Sequence, residues 1–428
     1  MWLEKKQIDE LPVDRQKIKN IVRSGGCIFL VGGSCRDLLL ESRPRDFDFV
    51  VAGISENKLE RLFPGIKKVG KKFPVFRKGK LDFSLIGQKN CRDNICKLIK
   101  DNLATRDFSI NAMAVLLPEG ELIDPLEGLK DLRKGRIRAL PGAFDEDPLR
   151  IYRAARFSSE LTCTKKDFII TKATLKRMRQ KGERLKNVPA ERIFKELRFA
   201  LNSYRPAHFF SVLSRANILK IDFPELAQLQ KIKCQQENGS QRSIFEQTMK
   251  GLNNASNSNI SGGELVKFGI LVHGFRELTF KEREGKDREG KHNKRASEKM
   301  HSALKQLGKF CSRLKLPEDW QKSGRQVIKY YHKALNWKKT KPKLLLKMLN
   351  EVSRSPLTVK KLEEVVKCLQ ASYNSEKKEY QGLADFADRL YKETGAYCVQ
   401  NEFPEGPKLG RALFQYRRQW IEKNINKM

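Results

Sequence analysis

The sequence predicts an α+β protein: a mixed sheet with helices over residues 1–140, then a chain that is helical to its end. Two observations carry that expectation. Apolar runs of strand length, bounded by Gly, Pro and Asp turns, are confined to the first third. Beyond Pro141-Gly142 the apolar residues recur at three- and four-residue spacing, the helical period. A length of 428 residues allows two to three domains with full-sized cores. The expected boundaries give 1–140, 141–226 and 227–428.

Cys27–Val31 (CIFLV) reads as a buried strand, Gly32-Gly33-Ser34 as a tight turn and Cys35–Leu40 as a short helix. Asp46–Val51 is a second strand. Phe73–Arg77 and Leu81–Ile86, joined by Lys78-Gly79-Lys80, form a hairpin. Asn111–Leu117 is a further strand before the turn at Pro118-Glu119-Gly120. In the helical part Pro148 suits a first helical position, with Asp147 as its N-cap. Helices are expected over 147–158, 167–181, 188–202 and 206–217. Gly251–Gly263, rich in Asn, Ser and Gly, and the charged run Thr279–Lys299 read as solvated loops. The last third, for example Trp337–Lys347, is helical and basic, and no internal repeat is found.

Apolar residues make up 39% of the chain and aromatics 9%, which excludes wholesale disorder. No run approaches the ~18 apolar residues of a membrane span. Met1–Leu11 is neither a secretory signal nor a transit peptide, so the cytoplasm is the expected compartment. The 87 Lys and Arg exceed the 51 Asp and Glu, leaving a formal charge of +36. Self-repulsion on that scale is relieved when a polyanion sits on the surface, so nucleic acid is the expected partner. A membrane surface would need a basic amphipathic helix with one clean apolar face, or a lipidation site, and neither is evident. The nine cysteines are scattered, and the pairs Cys27/Cys35 and Cys91/Cys96 lack the spacing of a zinc or redox site. They read as reduced, buried thiols. The five histidines form no metal pattern, so metal chemistry must rest on carboxylates.

Chemistry concentrates in Leu30-Val31-Gly32-Gly33-Ser34-Cys35-Arg36-Asp37 and the following Asp46-Phe47-Asp48. Residues two apart in a strand share a face, so Asp46 and Asp48 present two carboxylates together. Such a pair repels itself unless a cation bridges it, and hard oxygen ligands suit Mg²⁺, which keeps waters and bridges to substrate phosphates. A Gly-Gly turn ahead of a helix offers backbone N–H groups to an anion, and Arg36 adds a fixed charge. An isolated D-x-D is more often a capped strand edge. With the glycine turn and Arg36-Asp37 nine residues upstream, the combination reads as a triphosphate site.

These residues carry a resemblance. The motif G-G-x-x-R-D followed by D-x-D resembles the class II branch of the DNA polymerase β nucleotidyltransferase superfamily. That branch holds tRNA CCA-adding enzymes, their CC- and A-adding relatives, and bacterial poly(A) polymerase. Further blocks follow in order. Arg106-Asp107-Phe108-Ser109-Ile110-Asn111-Ala112-Met113-Ala114 resembles the family's ribose-contacting block. Asp124-Pro125-Leu126-Glu127-Gly128, with Asp131-Leu132, Gly135 and Ile137-Arg138, resembles its hinge. Glu146-Asp147-Pro148-Leu149-Arg150 resembles its E-D-x-x-R base-selecting helix, and Glu191–Leu197 its neck.

The resemblance implies a nucleotidyltransferase palm followed by a helical neck, body and tail. It implies two Mg²⁺ ions on Asp46 and Asp48, with Asp82 as a third acidic residue that assists as ligand or base. Gly32, Gly33, Ser34, Arg36 and Asp37 would hold the triphosphate, and Arg106, Asp107 and Asn111 the ribose and phosphates. Arg153 and Arg156 would reach phosphates or support Arg150. The substrates implied are CTP, ATP and a tRNA 3′ end, with the basic tail gripping the acceptor and TΨC arms.

The E-D-x-x-R segment can also be read from chemistry alone. Asp147, Arg150 and Arg153 fall on one side of a helix. An ionised Asp only accepts and an Arg only donates, so together Asp147 and Arg150 imitate one edge of a base. Cytosine and adenine each offer an amino donor beside a ring acceptor and match that edge. Uracil and guanine mismatch it, which leaves buried polar groups unpaired. The plain alternative is a surface ion pair.

Departures from the family pattern matter. Its double Arg is Thr105-Arg106 here. Gly87–Asn102, where relatives carry a flexible loop that serves the switch from C to A addition, is short, which opens CC-only addition. Poly(A) polymerases carry an extension before the first strand that is short here, which favours a tRNA enzyme. Phe223-Pro224-Glu225-Leu226 resembles the end of the neck. Phe268–His273 falls where some relatives carry an HD-type phosphohydrolase. With His273-Gly274 for His-Asp and Gln247 for the earlier His, a hydrolase-dead scaffold is expected. Pro404–Arg411 resembles the end of bacterial members. A poly(A) polymerase and an inactive basic RNA-binding protein are the competing functions.

Overall fold

The computed structural model describes residues 3–70, 74–87, 94–162, 166–235, 239–256, 263–278, 292–373, 379–400 and 407–427. Among the expected features, Phe73, Cys91, residues 257–262 and 279–291, and the start of the terminal motif at 404–406 lie outside them. The chain forms two compact units, Met1–Ala154 with Lys165–Lys181, and Ala155–Thr164 with Gly182–Met428.

The first unit is built on a seven-stranded mixed sheet. Its strands are β1 (Cys27–Val31), β2 (Phe47–Ala52), β3 (Lys67–Val69), β4 (Val75–Lys78), β5 (Leu81–Ile86), β6 (Ala114–Leu117) and β7 (Glu121–Ile123). They lie in the order β3-β4-β5-β2-β1-β6-β7. β1 is central because both its faces are apolar, and Ile28 and Leu30 are fully buried on the face opposite Phe29 and Val31. It runs antiparallel to β2 and β6, whereas β2 and β5 run parallel. The edge strand β3 is exposed along its length and carries two lysines, a charge pattern that discourages further pairing.

The helix Ile95–Ala104 covers one face of this sheet. Ile95, Ile99 and Leu103, spaced by one turn, pack with Phe29, Val31, Val50 and Ala52. Asp48 is paired with Val31 and lies two residues before Val50, so it continues that same face toward its polar end. Residues 95–102 are therefore helix where a loop was expected, because the apolar repeat buries against the sheet.

Other boundaries also differ from expectation. The first helix begins at Gly32 itself and runs to Leu39, and β2 starts one residue late, at Phe47. Ser109–Asn111 is a 3-10 turn ahead of β6. The expected helices appear as Arg150–Leu161, Lys172–Lys181, Ala190–Leu201 and Ala207–Arg215. Gly251 to Ser256 is not loop but the end of helix Ile244–Ser256. Gly251 there faces Ile270 and Leu369, each 3.1 Å from where its Cβ would stand, so the small residue permits close helix packing. Residues 292–299 begin the helix His292–Arg313, so that part of the charged run is helical too.

The second unit is helical apart from a small two-stranded ribbon. Phe209, Phe210, Phe223, Phe268, Phe310 and Trp320 form a chain of ring contacts through it. Glu225, almost fully buried, is held by Arg313 at 2.5 Å, which also donates to the carbonyl of Asp222. His273 is buried with Nδ1 2.6 Å from the Ile270 carbonyl, and burial pushes its pKa down to about 4. Gln247 is also fully buried. Among the described residues no helix is long and apolar enough to cross a membrane.

Candidate active site

The turn between β1 and the helix after it is shaped by Gly32. It has φ +71°, and a Cβ there would stand 2.5 Å from Nη1 of Arg106, so only glycine fits without strain. Ser34 donates to the Val31 carbonyl at 2.8 Å and accepts from the backbone N–H of Asp48 at 3.2 Å. Its hydroxyl thus ties the helix to β2. Arg36 is buried and donates to Asn111 Oδ1 at 2.7 Å and to Asp37 Oδ1 at 2.8 and 2.6 Å.

Three carboxylates stand near the end of the parallel pair. Asp46 is exposed in the bend before β2, and Asp48 is half-buried within it. Asp82 lies directly beside Asp48 on β5. Burial and the neighbouring charges of Asp82 and Asp46 push the Asp48 carboxyl up, against Arg106 and Arg153. Burial also lowers the pKa of Arg106, opposed by Asp48, and its Nε has no hydrogen-bond partner. On the far side, Arg77 of β4 faces Asp82 and grips it with two 2.7 Å bonds.

The Arg106–Asn111 segment is tied to the helix Arg150–Leu161. Asp107 accepts from the Phe108 N–H and Asn111 Nδ2, both at 2.9 Å, and from Arg153 at 2.9 and 2.7 Å. Burial raises its pKa, but Arg153 and the Asn111 hydrogen bond outweigh that and hold it below the ordinary carboxylate range. With those four bonds Asp107 ties the segment to Arg153 and Asn111. Arg153 is thereby anchored to Asp107.

Arg150 donates to Glu146 at 2.8 Å, to the Thr105 carbonyl at 3.1 Å and to the Ala143 carbonyl at 3.4 Å. Asp147 accepts from the Leu149 N–H at 3.1 Å, as an N-cap does. Arg156 belongs to the second unit, paired at 2.6 Å with both Glu196 and Glu160. Its pair with Glu196 is a largely buried ion pair between two helices.

Sequence reading missed Glu146 and Arg77. Glu146 was visible as the i−4 partner of Arg150. Arg77 was visible in the hairpin, since a turn at Lys78–Lys80 sets residue 77 against 82.

Asp46 and Asp48 are hard, like-charged oxygen donors. Among the described residues no three His, Cys, Asp or Glu converge to hold an ion by themselves. Paired carboxylates are the kind of donor that Mg²⁺ takes, since it commonly binds one or two carboxylates and completes its shell with water and substrate phosphate.

Comparison with known proteins gives the family. Residues 28–138 match the family described as the poly A polymerase head domain. Residues 167–229 match the probable RNA and SrmB-binding site of polymerase A. The multifunctional CCA protein of Acinetobacter baylyi is 31% identical over 91% of this chain and 95% of its own length. The CCA-adding enzyme of Blochmanniella floridana is 32% identical over 71% of this chain and 74% of its own. The fold is shared with the CCA-adding enzyme of Thermotoga maritima complexed with tRNA, with a TM-score of 0.65 and 22% identity over 99% of this chain and 95% of that one. The chain belongs to the class II tRNA nucleotidyltransferase and poly(A) polymerase family of nucleotidyltransferases.

Proposed function

We propose that this protein adds C and A from CTP and ATP to the 3′ end of tRNA without a nucleic-acid template, releasing pyrophosphate. One observation carries the reading. An unbroken run of hydrogen bonds joins the phosphate turn to the base-selecting helix, from Arg36 through Asn111 and Asp107 to Arg153. A nucleotide whose phosphates lie at the Gly32–Arg36 turn is thereby held in register with the segment that carries Asp147 and Arg150.

Asp46 and Asp48 would hold two Mg²⁺ ions, which when bound acidify the RNA 3′-hydroxyl and neutralise the leaving pyrophosphate. Asp82 stands beside Asp48 as a further acceptor. Gly33 N–H and Arg106 face the triphosphate. Asp147 accepts from the amino group of cytosine or adenine, and Arg150 donates to the ring nitrogen. Glu146 and the Thr105 carbonyl restrict the Arg150 guanidinium, so its donors are aimed before the base arrives. The basic second unit would hold the tRNA by backbone charge and A-form shape. The unbridged cysteines Cys35, Cys96, Cys311 and Cys368 support a reducing, cytoplasmic setting.

The test uses tRNA transcripts ending at the discriminator base, at CC and at CCA, each with one labelled nucleoside triphosphate. Completion to CCA and no further supports the proposal. A stop after CC makes the chain a CC-adding enzyme. A long A tail makes it a poly(A) polymerase, and binding without incorporation makes it an inactive RNA-binding protein.

A further inference from the structure

Arg77 is the residue near the acidic row that the mechanism leaves unused. Across the sheet, Arg77, Asp82 and Asp48 stand in one line, each the direct neighbour of the next. Arg77 bonds both oxygens of Asp82, Nε to Oδ1 and Nη2 to Oδ2, each at 2.7 Å. The Arg77 side chain is 58% exposed while that of Asp82 is 22% exposed. A fork of this kind takes one lone pair on each oxygen and sets a positive charge against the carboxylate that a divalent cation would approach. Its exposed, solvated arginine can also swing away at little cost. Arg106, half-buried and charge-coupled to Asp48, has less freedom.

We propose that Arg77 is a positioning residue that serves as an internal counter-ion. It holds Asp82 off the catalytic cation and releases it when cation and nucleotide enter, so Asp82 alternates between an arginine-bound and a cation-facing state. The inference rests on the reading of Asp46 and Asp48 as cation ligands. It predicts that the resting protein binds a divalent ion through two carboxylates and that removing Arg77 supplies a third.

The experiment titrates Mn²⁺ alone into the full-length protein and reads binding from loss of the free-ion electron paramagnetic resonance signal. Arg77→Gln is expected to tighten Mn²⁺ binding by about two- to fivefold, the range typical of an exposed ion pair. Arg77→Lys, which keeps the charge and loses the fork, should fall between. The double variant Arg77→Gln/Asp82→Asn should return to the affinity of Asp82→Asn alone. Thermal unfolding of each variant controls for folding. Unchanged or weaker Mn²⁺ binding in Arg77→Gln overturns the proposal. Asp48→Ala separates the two readings: wild-type Mn²⁺ affinity there would discard the ligand assignment itself.

Discussion

At the scale of single residues, the site works by placing charges where burial magnifies them. Asp107 has its four hydrogen bonds inside the protein. Its carboxyl is held low, so its ionised form stabilises the fold. That contribution is present above the ordinary carboxylate pKa near ~3.9 and is lost as pH falls through the lower folded value. Asp107→Ala should cost about 2–3 kcal/mol at pH 7 in urea unfolding, since it strands Arg153 and Asn111. The gap to wild type should shrink as the medium is brought below pH ~4. Asp147 differs in that its carboxylate accepts from the nearby backbone N–H of Leu149, and the proposed base reading draws on the same side chain. Asp147→Ala should lose about 1 kcal/mol as a missing N-cap. In single-nucleotide incorporation it should lower preference for C and A over U and G by at least about tenfold. Full retention of that preference would end the base-edge argument.

At the scale of elements, the strand-to-helix turn does most of the positioning. β1 ends at Val31 and the helix begins at the next residue, which the left-handed Gly32 makes possible. Gly32→Ala should destabilise by about 1–2 kcal/mol from backbone strain. It should also push Arg106 from its place, so nucleotide affinity measured by calorimetry should fall by more than stability predicts. The two elements around this turn were legible in the sequence, because an apolar pentad followed by Gly-Gly admits few conformations. The helix Ile95–Ala104 was not, because its buried residues form one short stripe, Ile95, Ile99 and Leu103. Only the sheet face beneath it makes that stripe worth burying. The same reason hid the end of helix Ile244–Ser256, where Asn, Ser and Gly resemble a loop until Ile270 and Leu369 are brought against Gly251.

At the scale of the molecule, a charge of +36 should make RNA binding steeply salt-dependent. If the protein covers about six phosphates, tRNA affinity should drop by roughly 10³ between ~50 and ~200 mM salt. Fluorescence anisotropy checks this, and Asp48→Ala should follow the same slope while transfer is lost, since binding and chemistry use different charges. The order of motifs, the polyanion preference and the α+β class followed from sequence alone, because local periodicity and net charge need no knowledge of distant neighbours. Which polar side chains serve each other depended on the tertiary structure. Asp82 became the neighbour of Asp48 through a parallel pairing between strands thirty-odd residues apart. Arg153 reached Asp107 across 46 residues, and Arg36 reached Asn111 across 75. A hydrogen bond forms only when chain closure has already been accomplished by burial of apolar surface elsewhere, so its partners are set by the fold and not by spacing.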